Sequence, residues 1–153
     1  MIEDAGQLLV MMRRAIPTGV EMAVPPPVLG ELAGRLVAYE EDAWLRAEYL
    51  ALPKFVNPMG SVQGGIVAAA VDGTYGMLSF LAKQAPYVTV TLDMQYVRPL
   101  RGDGGVYTVE VRLKAQTRRM LFMEGEARNG EGKIIATSTT TMLLWEQRKQ
   151  DVV

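Results

Sequence analysis

Residues 64–82, GGIVAAAVDGTYGMLSFLA, are apolar on nearly every side, and the way this stretch is covered decides the fold. The run is long enough to raise the question of a membrane span. It holds four glycines together with Asp72, Thr74 and Ser79, and the centre of a bilayer penalises a lone Asp by several kcal/mol. It therefore reads as the buried helix of a soluble domain. A helix apolar all round has to be covered all round.

The flanking sequence supplies the cover. Upstream, Arg35–Glu40 and Ala43–Ala51 are short runs with Leu, Val, Tyr and Trp, joined by an acidic turn at Glu41-Asp42. Downstream, Val88–Arg98 places Val88, Val90, Leu92, Met94 and Tyr96 on one face and Thr89, Thr91, Asp93 and Gln95 on the other. Val106–Ala115 alternates in the same way. Met120–Arg128 and Lys133–Trp145 follow, joined by the hairpin signal Asn129-Gly130-Glu131-Gly132. The expected architecture is α+β: a curved antiparallel sheet wrapped around the long helix, with Ala68, Ala69, Ala70, Gly73 and Gly76 letting the two backbones approach closely.

The outer segments are simpler. Residues 3–15 form an amphipathic helix with acids first and arginines last, as the helix dipole favours. Pro17, Gly19 and Pro25-Pro26-Pro27 end it. The division expected is an N-terminal helix and Pro-rich linker over 1–30, the main domain over 31–146, and a polar tail over 147–153.

Composition narrows the chemistry. The 153 residues include no Cys and no His. Ser-His-Asp and Cys-His nucleophilic catalysis is thereby excluded, as are thiolate and imidazole metal sites. Acid–base work must run on carboxylates, Tyr, Lys, hydroxyls or backbone amides. A net charge of −1 with scattered Lys and Arg leaves no basic stripe for nucleic acid. Neither a signal peptide nor a disulfide framework is expected, in keeping with a cytoplasmic protein. An apolar content of 49% leaves surplus apolar surface, which a partner subunit would cover.

Just before the helix stands Asn57-Pro58-Met59-Gly60-Ser61-Val62-Gln63-Gly64-Gly65, and nine residues after Gln63 comes Asp72. This set resembles the hotdog-fold acyl-CoA thioesterases of the PaaI-like branch of the 4-hydroxybenzoyl-CoA thioesterase superfamily. Their pattern is Asn, a Gly three residues on, His-Gly-Gly opening the central helix, and an acid nine residues after the His. The resemblance covers about residues 30–145, and the strand TVTLDMQYVRPL (89–100) fits it. One position departs: the usual His is Gln63, which hydrogen-bonds but does not titrate.

The resemblance implies hydrolysis of a small or medium acyl-CoA, without a metal or cofactor. It also implies a homodimer or a homotetramer built as a dimer of dimers, with edge-to-edge sheets and sites shared across the interface. Asp72, the only charged residue between Lys54 and Lys83, would attack the thioester carbonyl or activate water; a structural Asp capped by Thr74 or Thr91 is the bland alternative. Gly64 and Gly65 would offer free N–H groups to the thioester oxygen, although glycine also serves a tight turn. Asn57 would hold the loop or touch substrate, and Gln63 would orient it. The resemblance matches Thr91 to a hydroxyl that orients water, against an ordinary sheet threonine.

Arg118 and Arg119 suit CoA phosphates but equally an exposed hairpin. Tyr75, with Met77 and Phe80, could line an acyl pocket or belong to the core. Two rival functions remain. One is a non-catalytic acyl-CoA or lipid-binding hotdog protein, to which Gln63 lends weight. The other is a hotdog hydratase, against which the absence of His stands, since such enzymes pair a carboxylate with a His.

Overall fold

In the computed structural model, residues 1–41 and 43–146 are described, and they form a six-stranded antiparallel sheet with a long helix packed against it. Asp42, half of the expected acidic turn, and the polar tail from Gln147 lie outside the described residues.

Helix α1 (Ala5–Arg14) opens at Asp4, whose carboxylate accepts the backbone N–H of Gln7 at 3.1 Å. That cap satisfies one of the donors a helix start leaves free. Leu8 and Met12, one turn apart, are buried in the same core as the sheet. The N-terminal segment is thus packed into the domain. The proline run also does more than link. Pro27 begins a short helix, α2 (Pro27–Glu31), at the first helical position, where a missing N–H costs nothing, and it seats Leu29 in the core.

Strands β1 (Arg35–Glu40) and β2 (Trp44–Leu50) form the first hairpin. A single 3-10 turn at Pro53–Phe55 then leads through a loop into α3 (Gly64–Lys83). Helix α3 stops where Gln84 turns left-handed at φ 51°, with Pro86 just beyond. It delivers the chain to the far edge of the sheet, where β3 (Tyr87–Tyr96) runs. Strands β4 (Val106–Gln116), β5 (Met120–Arg128) and β6 (Ile134–Leu144) fill the gap, for the order β1-β2-β4-β5-β6-β3. Strand β3 is thus an edge strand, paired with β6 on one side only.

The core lies between α3 and the sheet. Tyr49 and Tyr107 stack there with ring centroids 5.6 Å apart. Val71, Tyr75 and Leu78 of α3 are essentially inaccessible, the burial of Val71 and of Leu78 each contributing roughly 1.5–3 kcal/mol. The close approach of helix and sheet differs from the expected one. A methyl group built on Gly73 or Gly76 meets nothing within 4 Å, so no close approach requires glycine at either position. The crowding is on the sheet: a Cβ on Gly125 would stand 2.8 Å from the Tyr75 hydroxyl and 3.0 Å from the Glu110 carbonyl. Tyr75 is bulky and reaches across, so the strand beneath it carries no side chain.

The alternation along β3 also breaks. Its register with β6 shifts between Thr89 and Thr91, as at a β-bulge, where one extra residue is inserted and later side chains change face. Thr89 stands opposite buried Met142, and Leu92 opposite buried Thr140. Thr91 stands opposite Thr141, which in turn neighbours exposed Phe122 on β5. Thr89 therefore shares the helix side with Leu92 and Met94, while Thr91 and Asp93 look outward.

Candidate active site

The loop into α3 is held from both sides. Asn57 Oδ1 accepts the backbone N–H groups of Met59 and Ser61 at 3.0 and 3.1 Å, and Gly60 adopts φ 80°, a turn that favours glycine. Of the two roles open to Asn57, loop-holding is the one in place. The Gln63 N–H donates to Phe55 O at 2.8 Å, and the Val62 N–H to Leu100 O at 2.8 Å. Helix α3 then starts on schedule: Ile66 N–H donates to Gln63 O at 2.9 Å. The N–H groups of Gly64 and Gly65 precede that bond, where a helix leaves donors free and the dipole is positive. Gly65 is exposed, and a Cβ there would meet nothing. Gln63 is exposed as well and makes no side-chain capping bond. Beside this start lies a cavity of about 290 Å³, whose lining includes Asn57, Met59, Ser61, Gly64 and Tyr96.

Asp72 lies further along α3, half-buried on the side turned from the core. Its Oδ1 accepts the hydroxyl of Thr89 at 2.7 Å. Neither hydroxyl named from the sequence fills this role. Thr74 Oγ1 is fully buried, donating to Ala70 O at 2.7 Å and pairing with the Tyr49 hydroxyl at 2.8 Å. Thr91 faces outward, as alternation with Leu92 and Met94 requires, and its carbonyl accepts from Thr140 Oγ1 at 2.7 Å. Thr89, and not Thr91, meets Asp72 because the inserted residue turns Thr89 to the helix side and leaves Thr91 on the outward face. One carboxylate oxygen is thus held, and the carboxylate as a whole is less buried than its apolar neighbours in sequence suggest.

Eight residues separate Gly64 from Asp72, about 12 Å along a helix axis. An N–H that holds a carbonyl oxygen and a carboxylate that works on the same carbonyl carbon must stand within roughly 6–7 Å of each other, given reacting distances of about 3 Å on each side. Within one chain the glycine N–H groups and the Asp72 carboxylate therefore do not come together at one point.

Other expected site residues also fall elsewhere. Tyr75 is fully buried on the sheet side of α3, where its hydroxyl meets Ser138 Oγ at 2.8 Å; it is core, as are Met77 and Phe80. Arg118 and Arg119 sit in the β4–β5 hairpin, where Thr117 Oγ1 accepts the Arg119 N–H at 3.3 Å. Arg119 O accepts from Leu144, the partner of Tyr87 at the start of β3. Gly64 instead meets Tyr96, at the other end of that strand. Within one chain the two arginines are about 30 Å along the strand from the helix start.

Closer cations carry no signal of their role in the sequence. Arg98, Arg101 and Lys133 line a cavity of about 540 Å³ together with Asp103 and Glu131, the latter paired with Lys133 at 2.8 Å; it shares Arg98, Pro99 and Leu100 with the one beside Gly64. Only the tertiary fold brings Lys133 to the other two. The alternation marks Tyr96 merely as one more apolar-face residue, yet its hydroxyl donates to Gly64 O.

Comparison with known proteins adds an independent line. The family model described as Thioesterase superfamily matches residues 59–136. Among solved structures, a candidate thioesterase of Ralstonia eutropha, related to phenylacetic acid degradation, is 31% identical; 90% of this chain and 98% of that one are covered, with a TM-score of 0.73. The PaaI protein of the E. coli phenylacetic acid degradation operon superposes with a TM-score of 0.77 at 12% identity, over 94% of this chain and 97% of its own. A Streptococcus mutans protein solved with acetyl CoA gives 0.68 at 20% identity, over 74% of this chain and 90% of that one. The last two likenesses are likenesses of fold.

Proposed function

This chain belongs to the thioesterase superfamily, as a PaaI-like hotdog thioester hydrolase, and from that premise we propose that it cleaves small or medium acyl-CoAs to the free acid and CoA with Asp72 as the working carboxylate. The observation that carries the reading is the pairing of two features on α3: free glycine N–H groups at its start, and an Asp held by Thr89 in its middle. The first suits a developing oxyanion. The second suits a base or nucleophile with one oxygen fixed and the other available.

Their separation supports a site shared between two copies. In an antiparallel pairing of two β3 edges about a two-fold axis, the start of one strand lies beside the end of the other. The helix start of one subunit then approaches the Asp72 region of its partner, and the partner's Arg118-Arg119 hairpin approaches the same end. Val88 and Val90, exposed at 45% and 54% on that edge, would be covered. The assembly would be a dimer or a dimer of dimers.

In the site so formed, the thioester oxygen accepts from Gly64 or Gly65 N–H. Either Asp72 takes a proton from water as the water oxygen bonds to the carbonyl carbon, or Asp72 itself attacks and water then opens the mixed anhydride. In both routes the C–S bond breaks, and the thiolate leaves as CoA and regains a proton. Gln63 orients the substrate and moves no proton. Arg98 and Arg101 offer charge for CoA phosphates, and the acetyl CoA bound to the Streptococcus mutans relative supports a CoA ester as the ligand class. With no His or Cys available as ligand, the proposal runs without a metal, and it places the protein in the cytoplasm.

The test is thiol release across short, medium, long and aryl acyl-CoAs. Turnover of at least one class is expected. Tight binding with no turnover of any would favour the second reading, an acyl-CoA-binding protein, to which the exposed, non-titrating Gln63 gives substance.

A further inference from the structure

Backbone bonds fasten the chain up to Gln63, but the first two residues of α3 add little restraint of their own. Its first two residues are Gly64 and Gly65, and glycine loses more conformational freedom in a helix than any other residue. Its N-cap makes no side-chain bond, and its first turn carries no acidic residue. An oxyanion donor, by contrast, has to be fixed before the reaction begins, because its value lies in not having to reorganise. Something outside the helix has to hold this start.

Tyr96, the last residue of β3, is placed to do so. Its hydroxyl donates to the Gly64 carbonyl at 2.5 Å. Its ring lies so close that a Cβ on Gly64 would stand 3.1 Å from Tyr96 Cζ and 3.3 Å from Cε1 and Oη. The ring is itself anchored, because the next two residues are fastened to β6: the Val97 and Arg98 N–H groups both donate to Ile135 O, at 2.8 and 3.2 Å. The Gly64 carbonyl and the Gly65 N–H belong to a single planar amide and point in opposite directions. Fixing the oxygen therefore aims the N–H, and a bond donated to that oxygen polarises the amide and strengthens the N–H as a donor.

We propose that Tyr96 is a positioning residue for the oxyanion-binding start of α3, acting through the Gly64–Gly65 amide. The proposal rests on the thioesterase reading of the site. It also fits the glycine at 64: a Cβ there would crowd the ring, which would have to shift by a few tenths of an ångström.

The test uses the full-length chain, wild type and Tyr96→Phe, with Tyr96→Leu as a second variant. Read kcat and KM on the acyl-CoA that wild type hydrolyses best, Kd for S-ethyl-CoA (a thioether with no carbonyl), the melting temperature and the solution mass. Tyr96→Phe keeps the ring and loses only the hydroxyl. Its kcat should fall about five- to twentyfold, less than the loss of an oxyanion donor itself. KM, S-ethyl-CoA affinity, mass and melting temperature should stay close to wild type. Tyr96→Leu, which also loses the ring, should lose more kcat than Tyr96→Phe. A Tyr96→Phe kcat within twofold of an active wild type overturns the inference and leaves the thioesterase reading standing. A fall in kcat matched by weaker S-ethyl-CoA binding, lost assembly or a lower melting temperature marks Tyr96 as structural and overturns it too. Wild type without turnover on any acyl-CoA overturns both.

Discussion

The hydroxyl of Thr89 donates to Oδ1 of Asp72 at 2.7 Å, tying the edge strand β3 to the middle of α3. The bond crosses from a strand exposed at the sheet edge to a helix packed in the core. It fixes one oxygen of the carboxylate and the rotamer with it. An Asp amid Ala, Val and Gly looks from the sequence like an unpaired buried charge. Here it has a partner and partial access to solvent, so the full burial penalty does not arise.

Asp72→Asn keeps the shape and removes the charge and the basic oxygen. With no His or Cys to take over, kcat should fall about 10²–10⁴-fold, the usual range for a positioned acid–base group. Acyl-CoA affinity should change little, because the loss belongs to the chemical step. The check is kcat on the best substrate beside the melting temperature. A folded variant keeping more than about a third of wild-type kcat, under 1 kcal/mol of barrier, takes Asp72 out of the mechanism.

Thr89→Val and Thr91→Val should separate sharply, although the two positions lie on one strand two residues apart. Thr89→Val leaves Asp72 unheld and should cost about tenfold in kcat, or 1.4 kcal/mol. Thr91→Val, on the outward face, should stay within about twofold. Steady-state kinetics on both decides it, and equal losses would refute the placement made by the bulge.

Gln63→Ala should reduce kcat/KM by about tenfold, in keeping with an orienting and non-titrating role. A loss as large as that from Asp72→Asn would show that Gln63 takes part in the chemistry itself.

The shared-site geometry predicts a solution mass at a multiple of the 16.8 kDa chain. Lysine on an edge strand opposes pairing, so Val88→Lys with Val90→Lys should shift the mass toward monomer. Activity should fall with it, because Asp72 and the glycine N–H groups then stand about 12 Å apart with no second copy to complete either. Light scattering and a thiol-release assay on the same sample test this; a fully active monomer would end the model.

Burial pushes the hydroxyls of Tyr49 and Tyr75 up to about 12, partly offset by their bonds to Thr74 and Ser138. An unfolded tyrosine titrates near 10. The folded state therefore holds protons that the unfolded state releases: this stability is complete below about pH 10 and lost as pH rises from there toward 12. Melting temperature against pH should be flat with respect to these groups up to about 10 and fall beyond it. Tyr75→Phe should flatten that alkaline fall while lowering stability at neutral pH by about 1 kcal/mol for the lost hydrogen bond.

Much of this molecule is written in short-range pattern. Burial all round makes the helix legible, and its start follows from the glycines, since helix termini and tight turns are local events. The strands β1, β2, β4, β5 and β6 stand within a residue or so of where alternation puts them, because a half-buried sheet imposes a period of two on the sequence. Helix α2 was not legible, since a five-residue helix opened by proline looks locally like any proline-rich turn.

The kind of site was legible and its composition was not. By itself the sequence determined that catalysis cannot use imidazole or thiol, that a lone carboxylate sits on an apolar helix, and that this helix opens on two glycines. These are facts of residue type and local spacing. Only the tertiary structure decided which hydroxyl meets Asp72, because a one-residue bulge at the sheet edge turns Thr89 to the helix side at no visible cost in pattern. It alone set Tyr96 against Gly64, 32 residues apart, and sent Tyr75 into the core above Gly125. Each of these depends on where an element lands after a long crossover, and spacing along the chain carries no record of that.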